Sequence, residues 1–116
     1  MKFPIALDQY ATVCLNVSEE TLSPDKREHL KANIRLVRDS IIFFTAYANT
    51  KGLGGHTGGA YDIVPELLIV EGFMKGSGGI VPIHFDEAGH RVAIQYAMAA
   101  VNGFMPIDQL LHYREF

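Results

Sequence analysis

At 116 residues the chain is one domain's worth or less, able to bury roughly 65% of its unfolded surface in one modest core. A hydrophobic fraction of 48%, with seven Phe and five Tyr making up for the missing Trp, excludes a disordered chain. The net charge of -3 argues against a nucleic-acid partner, and the single Cys14 excludes an internal disulfide and suits a reducing, cytoplasmic setting.

The N-terminal stretch MKFPIALDQY has one lysine and a short apolar run broken by Pro4 and Asp8, without the core or cleavage site of a signal peptide. No apolar stretch reaches the roughly 18 residues that span a bilayer, so no membrane partner is expected. Residues 1–22 read as a leader strap or short helix, ahead of a partial domain over 23–116.

TLSPDKREHL is a helix start: Ser23 can cap, Pro24 fits the first turn, and Asp25 and Glu28 suit the positive end of the dipole. Leu30, Ile34, Val37, Ile41, Phe44 and Ala48 then recur at helical spacing along one face. A neighbouring stripe of Arg27, Lys31, Arg35 and Arg38 reads as a solvated face. The second half, IIFFTAYA, is apolar on nearly every side, so the helix is expected to end buried and to carry the following loop into the interior.

That loop, GLGGHTGG, leads into AYDIVPELLIVEGFMK, a helix that Pro65 either kinks or restarts. KGSGG breaks it, and IVPIHF is a short strand candidate interrupted by Pro82. EAGHRVAIQYAMAAVNG is a helix closed by Gly103, and MPIDQLLHYREF starts a last helix near Pro106. A lone strand cannot satisfy its own backbone groups. The expected fold is therefore α/β, the mostly helical N-terminal part of a larger unit truncated at its C-terminus.

The glycine loop matches neither familiar phosphate motif. Ala60 and Tyr61 stand where a P-loop needs Lys and Ser or Thr, and Thr57 stands where a dinucleotide fingerprint needs glycine. What remains is close backbone approach and the amides of Gly58 and Gly59 at a helix start, which attract an anion. The bland alternative is a buried interhelical turn with His56 a satisfied core histidine. His90 follows the strand candidate at a helix start, where an imidazole can bind phosphate or move protons, or merely cap the helix. His84, Asp86 and His90 match no zinc spacing, so no metal is assigned to them. Cys14 reads as a buried small hydrophobe, His29 and His112 as exposed, and Met74, Met98 and Met105 as core filling.

Taken in order, the two histidine segments resemble the start of a transketolase-type, thiamine-diphosphate-dependent enzyme. GGHTGGAYDIVPELLIVEGF resembles the family's Gly-His-Pro-Gly segment between two helices. IHFDEAGHRVAIQYAMAAVNGFMPIDQLLHYREF resembles its strand, Gly-His turn and following helices, with matching spacing between the histidines. The resemblance spans about residues 26–116. It implies that His56 lies near the reacting carbons and the diphosphate, and that His90 contacts diphosphate and substrate. The resemblance also implies that Gly55 and Gly58 flank the same cofactor and that both histidines are catalytic. The activity implied is two-carbon ketol transfer between sugar phosphates by a cytoplasmic homodimer using thiamine diphosphate and magnesium.

Thr57 departs from the family's proline, and Arg91 and Val92 replace small residues after the second histidine. The double glycine before His56 also occurs in deoxyxylulose-phosphate synthases and in the first component of homodimeric pyruvate dehydrogenase, leaving the subgroup open. The family's Gly-Asp-Gly…Asn segment and pyrimidine-binding domain are not in this sequence. The chain alone is therefore expected to bind no cofactor and to be inactive, its partners being the remainder of the enzyme and a second subunit. The rival class is a non-enzymatic helical interaction module that uses the basic stripe or an apolar face.

Overall fold

Ser23 starts the first helix. Its backbone is extended and its hydroxyl accepts from the Lys26 amide at 3.3 Å, with Pro24 in the first turn, and α1 runs Pro24–Thr50. The computed structural model describes residues 1–76 and 89–115. Two further helices follow, α2 (Gly58–Lys75) and α3 (Val92–Val101), with single 3-10 turns at Leu7–Gln9 and Ile107–His112. At 1.5 Å per residue α1 is about 40 Å long, close to the molecule's 47 Å long dimension. The other helices and both 3-10 turns pack against it.

Leu30, Val37, Ile41, Phe44 and Ala48 of α1 are buried, with Ile34 partly so. They meet Ala60, Val64 and Leu68 of α2 and Ala93, Ile94 and Ala97 of α3 in one core. Three polar residues share α1's buried face, each with a partner. Ser40 and Thr45 donate to the carbonyls of Leu36 and Ile41, both at 2.7 Å. Asn33 brackets Ala11, donating to its carbonyl at 2.6 Å and accepting from its amide at 3.0 Å.

That bracket belongs to the N-terminal segment, an extended strap broken by one 3-10 turn. Val13 and Leu15 point inward while Thr12 and Cys14 point out, so Cys14 is exposed rather than core. The Leu15 amide donates to the Gly72 carbonyl at 2.9 Å. The strap can lie this close only because α2 is bare there. A Cβ on Gly72 would lie 2.8 Å from Leu15 Cδ1, and one on Gly76 would overlap the Leu15 carbonyl.

Both α1 and α3 end in the same way. Gly52 and Gly103 take φ of 77° and 79°, and the next amides, Leu53 and Phe104, donate back to Ala48 and Ala99 at 3.0 and 2.9 Å. These are Schellman ends, which glycine adopts without the clash a Cβ would bring. The expected last helix is instead the short 3-10 turn after Pro106. Within α2 the helix continues through Pro65. Proline leaves the Tyr61 carbonyl without its ladder donor, and Arg38 Nε of α1 donates to it at 3.2 Å. The guanidinium also lies 4.5 Å from the Tyr61 ring centroid, so Arg38 ties two helices together rather than facing solvent.

The α/β expectation is overturned: every regular element among the described residues is helical, with no strand and no sheet. The strand expected over 80–85 lies outside the described residues. Among the described residues the long extended segment is the strap, which finds an Asn side chain and a helix carbonyl as partners, so no ladder forms there. The end of α1 is also less buried than expected. Ile42 is 48% exposed, and Gly54, Gly55 and His56 lie at the surface.

Candidate functional site

The loop between α1 and α2 is fixed from behind. The Thr57 hydroxyl donates to Thr45 Oγ1 at 2.9 Å, and Thr45 in turn donates to the Ile41 carbonyl. Thr57 therefore gives no side-chain cap to the opening amides of α2 at Gly58 and Gly59. His56, held next to this anchor, is directed to the surface.

His90 arrives from the other direction. Gly89 takes φ of 72°, and His90 follows just before α3. A Cβ on Gly59 would lie 3.2 Å from the His90 carbonyl oxygen and 3.4 Å from its Cβ, so bare backbone at Gly59 lets His90 sit on the first turn of α2. The two imidazoles meet edge to face, with centroids 5.2 Å apart and planes at 85°. Both rings are exposed. Neither histidine is a buried core residue.

The other sequence-named glycines differ. Among the described residues nothing lies within 4 Å of a Cβ on Gly58, whereas one on Gly55 would touch the C-terminal turn, 3.4 Å from Tyr113 Cε1 and from Arg114 Cδ. Burial pushes the Tyr113 hydroxyl above its ordinary pKa, and the Arg114 guanidinium beside it partly counters this. Clefts open at the loop and at the first turns of α2. One of about 450 Å³ is lined by Gly59, Asp62, Ile63, Glu66 and Arg91. The other, about 340 Å³, is lined by Ile42, Thr45, Ala46, Asn49, Gly55 and Thr57.

Two adjacent imidazoles beside a helix start offer N–H donors to phosphate oxygens and sites for proton exchange. Such donors suit an anionic group. Among the described residues no three His, Cys, Asp or Glu side chains cluster to hold a metal. His84 and Asp86 lie outside the described residues. Sequence reasoning missed Tyr113 and Arg114 at this site, since nothing in HYREF signals a contact with Gly55. No described helix is long and apolar enough to cross a membrane.

No family model matches the chain, and comparison with curated proteins and with solved structures finds no match to it.

Proposed function

We propose that this chain is the N-terminal part of a thiamine-diphosphate-dependent enzyme of the transketolase type, which moves two-carbon ketol units between sugar phosphates in the cytoplasm. The observation that carries the reading is the contact of His56 with His90 at 5.2 Å, on the uncapped first turn of α2. Two histidines from separate loops meeting at an exposed helix start suit an anionic ligand better than a packing role. When bound, thiamine diphosphate supplies the carbon–carbon cleavage and formation.

This chain's groups hold charge and move protons. A ring nitrogen of His90, backed by Gly59, donates to a diphosphate oxygen, and the Gly58 amide adds a second donor. His56 exchanges a proton with a substrate hydroxyl as the carbonyl forms or closes. The magnesium cage and pyrimidine pocket come from the rest of the enzyme and a second subunit, so the isolated chain is inactive. A helical interaction module is the weaker reading, because its basic stripe loses Arg38 to Tyr61.

The coding sequence beyond Phe116 tests the proposal at once. Gly-Asp-Gly followed by Asn is expected in frame or in a neighbouring gene. A stop codon with no such neighbour contradicts it.

A further inference from the structure

Arg114 is the only non-glycine residue with positive φ among those described, at 68°. A side chain in that region is strained, and such a residue persists only where its surroundings over-determine it. Here they do. Lys51, at the end of α1, donates to the Leu111 carbonyl at 2.7 Å and reaches Glu115 Oε1 at 3.2 Å. His112 Nδ1 lies 2.6 Å from Glu115 Oε2, and the Glu115 amide donates to the His112 carbonyl at 2.9 Å. Tyr113 anchors the centre of this turn, buried edge to face against Phe44 and Tyr96.

This clamp lays the Arg114 stem across Gly55, the backbone neighbour of His56. The side chain is exposed, and no carboxylate among the described residues pairs with it. The guanidinium lies beside the Tyr113 hydroxyl, and arginine's five N–H donors leave others for an anion next to His56.

We infer that Arg114 is a third binding residue of the His56–His90 site, its guanidinium taking a phosphate oxygen of the ligand. The inference rests on the anion-binding reading of that site. The phosphate can belong to a diphosphate or to a sugar phosphate, and the fork geometry of arginine suits either.

The test uses the whole chain at low salt, titrated with inorganic pyrophosphate and, separately, with a pentose 5-phosphate. The probe signals are the imidazole protons of His56 and His90 in NMR spectra, assigned through His56→Gln and His90→Gln. Millimolar binding is expected, on the order of -4 kcal/mol. Arg114→Gln should weaken it about tenfold or more for at least one anion, and Arg114→Lys by less. The anion whose affinity falls identifies the source. Arg114→Gly is the decisive variant, because it relieves the positive φ. Its thermal midpoint should hold or rise while binding falls as in Arg114→Gln. Unchanged affinity for both anions in Arg114→Gly and Arg114→Gln overturns the inference alone. Imidazole signals in the parent chain that respond to neither anion overturn it together with the anion-binding reading.

Discussion

Pro65 has no N–H for the carbonyl one turn back, and inside a helix that vacancy would leave Tyr61 O short of a donor. Arg38 fills it from α1, with its guanidinium also near the Tyr61 ring. Loss of a hydrogen bond from a charged donor costs about 1.5–3 kcal/mol. Arg38→Met should therefore destabilise the fold by about that much in urea unfolding. In a Pro65→Ala background, where residue 65 regains its own N–H, the same change should cost roughly 1 kcal/mol less. Equal penalties in both backgrounds would show that Arg38 does not replace the missing rung. Glu115 gives a second test at this scale. A hydrogen bond from His112, and then one from Lys51, hold its carboxyl below the ordinary 4.5. A depressed folded-state pKa stabilises above the unfolded value and is lost as pH falls through the folded one. Acidification below pH 4.5 should thus loosen the turn that carries Arg114. Glu115→Gln should flatten that acid limb in a melting-temperature series.

At the scale of elements, the features legible in the sequence are those decided locally. Ser23 with Pro24 marked the start of α1 and Gly103 the end of α3, because capping depends on a few adjacent residues. The seat of the strap on α2 was not legible. It depends on Gly72 and Gly76, one helical turn apart, meeting Leu15 from far along the chain, whereas locally Gly76 reads only as a breaker. Asn33 interrupts an apolar stripe for the same kind of reason, since its partner Ala11 is on the strap. Gly76→Ala should cost about 3 kcal/mol, because its methyl meets backbone that cannot step aside. Gly72→Ala should cost about 2 kcal/mol, because its methyl meets the buried Leu15 side chain at 2.8 Å and the Val13 carbonyl at 3.2 Å, offset in part by helix propensity. Limited proteolysis within residues 1–22 should accelerate in both variants, and more in the first.

Across the whole molecule, helices position the loop that bears His56 and the turn that bears His90. The expected sheet is not part of the described architecture. Periodicity could not show that the two histidines would meet. That expectation came from the resemblance, whereas the means of contact, a bare Gly59 beneath His90 and Thr57 anchored to Thr45, emerged only from the fold. The central claim is that these two imidazoles serve a thiamine-diphosphate-dependent ketol transfer. It is tested most directly in the polypeptide or complex that joins this chain to its diphosphate and pyrimidine segments, by following transfer from a ketose phosphate to an aldose phosphate with the cofactor and magnesium present. The account predicts transfer, with kcat/KM reduced about 10²- to 10⁴-fold by His56→Ala and by His90→Ala. No cofactor-dependent transfer, or full activity in both variants, would contradict it.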